Sequence, residues 1–292
     1  MDWRGFAGPD IPLLSRLILY DAGAATVDDI EASIVQGYCS KLAGRYITRY
    51  LLQQQRSFLQ LPSHMSFSSK ALPAHYMGNS MGAILGGGYS AFSGYKRSMF
   101  FVAGSSFTFL ILRSDLFATF GVLFGFQLYN RVDMRIVVST FQLLFDAAET
   151  TGWSQSGIYN QTSSLTEIAL GDSTVSTVAG RIFGYNLHAT QLTPALFPIY
   201  GIPERTHTNS STVIDTNTPP GQHIFVEGTF TADAAVIPSN NEIPPHPTQV
   251  HFCLDNVVPS VQQQVAEYVT TGKIWNNCPN HGQCVYGTTA TC

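Results

Sequence analysis

Ser80 stands between two glycines in Gly78-Asn79-Ser80-Met81-Gly82, after the short run Ala74-His75-Tyr76-Met77 and before Ala83-Ile84-Leu85-Gly86-Gly87-Gly88. The run before Gly78 predicts a buried strand, and the spacing of Met81, Ile84 and Leu85 predicts a helix. A serine at such a strand-to-helix turn sits on backbone too tight for ordinary φ/ψ. Side chains two residues to either side would collide with the neighbouring strand and helix, and Gly78 and Gly82 relieve both clashes. A helix starting directly after the serine also aims its first N–H groups, that of Met81 foremost, at a developing oxyanion. The bland alternative is a glycine-rich structural turn with a bystander serine. The strand before and the helix after favour the nucleophile.

A serine hydroxyl needs a base, and the base needs an orienting carboxylate. Asp172 follows a short apolar run in Leu170-Gly171-Asp172-Ser173-Thr174-Val175. A carboxylate at the C-terminal end of a strand faces the site in open α/β sheets. The competing reading makes Asp172 an N-cap for the helix that follows. Two histidines compete for the base, His246 in Pro245-His246-Pro247 and His251 in Val250-His251-Phe252. Two prolines hold His246 on an extended path. His251 closes a short apolar stretch just ahead of the last predicted helix and is preferred, with His246 as the alternative. His188, His207 and His223 read as surface or structural.

The elements that must position these residues alternate. Residues 11–60 read as helical, with Asp28 and Asp29 suited to a first turn. Met99–Ala103 and Leu165–Leu170 read as short strands, and Val261–Tyr268 as the final helix with Gly272 as its stop. The aromatic stretch 106–148, with Phe107, Phe109, Phe117, Phe120, Phe124, Phe126, Phe141 and Phe145, reads as helical. Residues 98–148 are expected to form a helical cap or lid, ordinary core packing being the equal alternative. Residues 197–249, rich in Pro, Thr, Asn and Ser, read as a long loop excursion. One α/β domain over 1–275, a mostly parallel sheet with helices on both faces, accounts for the alternation. A cysteine-containing tail follows at 276–292.

Composition excludes several classes. Hydrophobic residues make up 45% of the 292 and charged residues 12%, so the chain must bury much of itself rather than stay disordered. The net charge is −4 and no Lys/Arg run exists, which argues against nucleic acid and anionic membrane partners. The greasiest stretch, Met99–Leu112, falls short of the ~18–20 apolar residues of a membrane span. No cofactor or metal is expected; the tail lacks four well-spaced zinc ligands. Of the five cysteines, Cys39 and Cys253 lie in apolar context and read as reduced core thiols. Cys278, Cys284 and Cys292 crowd a polar tail, where Cys278 is expected to pair with Cys284 or Cys292. That staple, with the sequons at Asn160 and Asn209, points to secretion, although the N-terminus shows no signal peptide.

Residues 2–292 resemble the C-terminal part of bacterial secreted or lipoprotein-like α/β-hydrolases of largely unassigned substrate. The resemblance rests on Asp2-Trp3-Arg4-Gly5, Tyr76 to Gly87, Leu170 to Val175, and Val269-Thr270-Thr271-Gly272-Lys273-Ile274. It implies Ser80 as nucleophile, Asp172 as acid and a histidine around 246–251 as base. Such enzymes carry a His-Gly loop before the nucleophile that gives a second oxyanion N–H. No His-Gly pair precedes Ser80, so the sheet is expected to lack its N-terminal strands. The expected function is a serine hydrolase of carboxylic esters or related acyl compounds, with a small-molecule or lipid-like substrate. The alternative is an inactive α/β-hydrolase relative or fragment with an interaction or structural role.

Overall fold

The computed structural model describes residues 75–93, 95–117, 131–146, 149–204, 214–215, 221–231 and 250–287. The helices expected within 11–60, together with Cys39, His207, His246 and Cys292, lie outside the described residues.

In chain order the elements are β1 (Tyr76–Asn79), α1 (Met81–Ser93), β2 (Arg97–Phe101), α2 (Phe107–Ile111), α3 (Arg131–Phe145), β3 (Ser163–Ala169), α4 (Thr177–Asn186), β4 (Thr190–Gln191), β5 (Ile214–Asp215), β6 (His223–Phe230), α5 (Val250–Val257), α6 (Pro259–Thr271), β7 (Lys273–Ile274) and β8 (Val285–Tyr286). The main sheet runs β1-β2-β3-β6-β4, with β8 also on β6, and every one of these pairings is parallel. Among the described residues this is an α/β architecture.

Period-two alternation gives the sheet two covered faces. Met99 and Phe101 of β2, Leu165 and Ala169 of β3, and Ile224 and Val226 of β6 pack with Val250, Cys253, Leu254, Val261 and Tyr268 of α5 and α6. The intervening residues point the other way. Phe100 meets Ala83 of α1 and Phe183 of α4, while Ile168 and Phe225 pack with Ala189 and Ile202. β3 and β6 are buried along their whole length, and β2 is buried beyond Arg97, although β3 and β6 carry several polar residues. α6 begins with Pro259 in its first turn and ends at Gly272, whose φ of 79° suits only glycine comfortably.

Two expectations need correction. The stretch 197–249 is not all excursion, because His223–Phe230 is a fully buried strand beside β3. Its flanks carry the Pro, Thr and Asn residues that disguise it. In the tail Cys278 pairs with Cys284, one of the two partners expected for it, and β8 pairs with the end of β6. Cys253 is disulfide-bonded rather than a reduced thiol, with its partner outside the described residues. Residues 106–148 are helical where described, but α3 leaves Val132, Ile136 and Leu143 exposed, so core packing does not account for all of the segment. No helix among the described residues is long and apolar enough to cross a membrane.

Candidate active site

β1 delivers Ser80 to the C-terminal edge of the sheet. The N–H of Ser80 donates to the Phe101 carbonyl at 3.0 Å, continuing the β1–β2 ladder one residue further. Its own carbonyl accepts from Ala83 and Ile84 N–H, each at 2.9 Å, so the residue that ends the strand also starts α1. Doing both forces Ser80 to a φ of 52°, a left-handed conformation unusual for a non-glycine residue. Gly78 permits the turn. A Cβ there would lie 2.5 Å from the Gly82 carbonyl oxygen and 2.9 Å from the Ala83 nitrogen. Gly82 differs from the expectation, since a Cβ at that position meets nothing within 4 Å. The N–H of Met81, first in α1, makes no hydrogen bond among the described residues and remains available to an oxyanion.

β3 delivers Asp172. Because β2 lies between β1 and β3 and all three are parallel, Ser80 and Asp172 emerge at the same sheet edge from next-neighbour strands. Asp172 is buried and divides its carboxylate between two tasks. Oδ1 accepts from the N–H groups of Thr174 and Val175 at 2.8 and 2.9 Å, which shapes the loop into α4. Oδ2 lies 2.8 Å from Nδ1 of His251. The expected alternative, an N-cap for the helix that follows, does not hold: the N-cap of α4 is Ser176, and Oδ1 bonds loop N–H groups ahead of it.

His251 sits in the first turn of α5, not in a loop ahead of the last helix. Val250, Cys253 and Leu254 recur at helical spacing and bury that face of α5 against the sheet. The break at Val258-Pro259 separates α5 from α6. With Nδ1 on Asp172, the ring presents Nε2 2.9 Å from Ser80 Oγ. A carboxylate only accepts, so Nδ1–H donates to Asp172 and Nε2 accepts from the Ser80 hydroxyl. The chain thus brings Ser80, His251 and Asp172 into one hydrogen-bonded line, while His246 lies outside the described residues. Phe252, next to the histidine in α5, is exposed and holds its ring edge-on to His251 at a centroid distance of 5.2 Å.

Further residues bear on the site that sequence reasoning missed. Asn79 donates its side-chain amide to Oδ2 of Asp255, one turn beyond His251 in α5. Asp115 accepts from the hydroxyls of Ser173 and Thr174 at 2.9 and 3.1 Å, which anchors the loop carrying Asp172. Glu167 on β3 shares the sheet face of Leu165 and Ala169, is 1% exposed, and neither of its oxygens is hydrogen-bonded. Burial, and then the nearby charge of Asp255, push its carboxyl up to about 8. Only the Asn79 position was within sight from the motif; the others depend on pairing across the sheet.

His223 is a buried structural histidine at the opposite end of the sheet. Its ring bridges Ser164 Oγ at 2.8 Å and the Tyr159 carbonyl at 2.9 Å, and burial lowers it to about 4 against the opposing pull of that carbonyl. Both its ring nitrogens are taken, one by a hydroxyl and one by a carbonyl, so it does not repeat the Ser80 arrangement. Among the described residues no group of three or more His, Cys, Asp or Glu side chains could hold a metal ion. No protein-family model, no curated protein and no solved structure matches the chain.

Proposed function

We propose that this chain is a serine hydrolase of the α/β-hydrolase kind, acting on carboxylic esters or related acyl compounds. The observation that carries the reading is the line Ser80 Oγ–His251 Nε2 at 2.9 Å and His251 Nδ1–Asp172 Oδ2 at 2.8 Å, assembled from three separate elements at one sheet edge. In the proposed reaction the Ser80 oxygen attacks the acyl carbon as His251 Nε2 takes its proton. Asp172 holds the ring and stabilises the imidazolium. The Met81 N–H faces the developing oxyanion. His251 then protonates the leaving alcohol, and an acyl-Ser80 ester remains. Water, deprotonated by the same nitrogen, hydrolyses that ester and restores the hydroxyl.

An apolar acyl group suits the surroundings better than a charged one. Phe252, with its exposed aromatic ring, flanks the base. The Cys278–Cys284 disulfide supports an oxidising compartment and hence secretion.

A fluorophosphonate probe tests the reading, because it reacts with an activated serine and reports the modified residue by mass spectrometry. The wild-type chain labels at Ser80, and Ser80→Ala removes the label. His251→Ala slows labelling by about 10²–10⁴-fold, the usual contribution of a general base, and His246→Ala has a smaller effect. A folded wild-type chain that does not label defeats the proposal. Loss on His246→Ala with His251→Ala near normal moves the base to His246.

A further inference from the structure

The Ser80–His251 contact joins two bodies that have no covalent reason to stay in register. One is the turn between β1 and α1, the other is α5, and the residues in contact are 171 positions apart. Asn79 immediately precedes Ser80, and its Nδ2 donates to Asp255 Oδ2. Asp255 follows His251 by four residues within α5, which places the two side chains one turn apart on the same helix face. The Asn79–Asp255 bond therefore ties together the two segments whose separation sets the distance from nucleophile to base. Asp255 Oδ1 is buried and makes no hydrogen bond, so Asn79 is the side-chain partner that holds this carboxylate in place. The Asp255 charge also reaches the buried carboxyl of Glu167, but no hydrogen bond joins the two.

We propose, building on the serine-hydrolase reading, that Asn79 and Asp255 are positioning residues. Together they form a clamp that fixes the nucleophile's turn against the base-bearing helix. Neither touches a reacting atom in this role. The clamp acts on the geometry of proton transfer, which is sensitive: a displacement of about 1 Å at a reacting group can cost ~10²-fold in rate.

The test compares Asn79→Ala, Asp255→Ala, the double variant and Asp255→Asn, each checked for a wild-type melting temperature. Asp255→Asn keeps an oxygen that accepts the Asn79 amide and should label with fluorophosphonate within about threefold of wild type. Each alanine variant should label about 10–100-fold more slowly. On an ester substrate kcat falls while KM stays near wild type. The double variant should be no slower than the slower single variant, because both remove the same bond. Full additivity, or alanine variants that melt earlier but label normally, would overturn the clamp and leave the hydrolase reading standing. If the wild-type chain does not label, the hydrolase reading fails and the clamp is judged by NMR alone. The His251 Nδ1 proton, held by Asp172, should be protected from solvent exchange in wild type and Asp255→Asn and exchange fast in both alanine variants. Equal protection in all four overturns the clamp.

Discussion

Replacing Glu167 by glutamine preserves shape and removes an ionisable group from the interior, so its effect should depend on pH in a calculable way. In the folded chain the Glu167 carboxyl is 1% exposed, unbonded, and pushed from an ordinary 4.5 up to about 8 by burial and the Asp255 charge. Below the unfolded value both states hold the proton, and wild type and variant should differ little. Between about 4.5 and about 8 the unfolded chain releases the proton and the folded chain keeps it. The folded state then binds more protons, so wild-type stability falls as pH rises, by about 1.4 kcal/mol per pH unit. The decline stops above the folded value, with a ceiling of about 5 kcal/mol. Glu167→Gln has no such slope. From about pH 5 to about pH 7.5 its advantage should grow by roughly 3 kcal/mol. With a denaturant slope of about 3 kcal/mol per molar urea, that is about 1 M in the midpoint separation. Urea unfolding of both proteins at the two pH values measures it. Midpoint separations that match at the two pH values would show that Glu167 is ionised or solvated in the fold, and the argument would fall.

Two other substitutions probe the frame around Ser80 and Asp172. Gly78→Ala puts a Cβ 2.5 Å from a backbone oxygen that cannot swing away; about 1–3 kcal/mol of stability should go, with the probe labelling of Ser80. Gly82→Ala, which points into open space, is the control, and equal melting temperatures for the two variants would refute the steric account. Asp115→Ala removes the acceptor for Ser173 and Thr174 hydroxyls. It should slow labelling about tenfold, equivalent to about 1.4 kcal/mol in the barrier, while the melting temperature changes little; unaltered labelling would show that the Asp172 loop holds its shape without Asp115.

What the sequence made legible was local. Ser80 is marked by the change from strand to helix around it and by Gly78, whose Cβ the turn has no room for. Asp172 is marked by the end of an apolar run. His251 is harder, because Val250, Cys253 and Leu254 form too short a helical pattern to stand out before Val258-Pro259. It was placed by chain order and read as loop. β6 escaped because both its faces are buried, so its eight residues show no alternation, and Glu227 interrupts them. That glutamate is tolerated because Arg181 of α4 pairs with it through two bonds at 2.8 and 2.9 Å, a partner 46 residues away. Glu167 and the Asn79–Asp255 bond are likewise products of sheet order. No window along the chain contains both members of such a pair.

The division of labour within the Asp172 carboxylate has a chemical consequence. Oδ1 faces two N–H donors, so whatever occupies that position must be an acceptor. If residue 172 were an asparagine, its oxygen would be committed to that side and its amide nitrogen would turn toward His251. Facing a donor, Nδ1 would have to give up its hydrogen, and the neutral ring would carry its proton on Nε2 instead. Nε2 would then point an N–H at Ser80 Oγ and could no longer accept the serine's proton. The loop that leads into α4 thereby selects the imidazole tautomer whose Nε2 can accept from the Ser80 hydroxyl. A carboxylate satisfies both sides because its two oxygens are chemically alike.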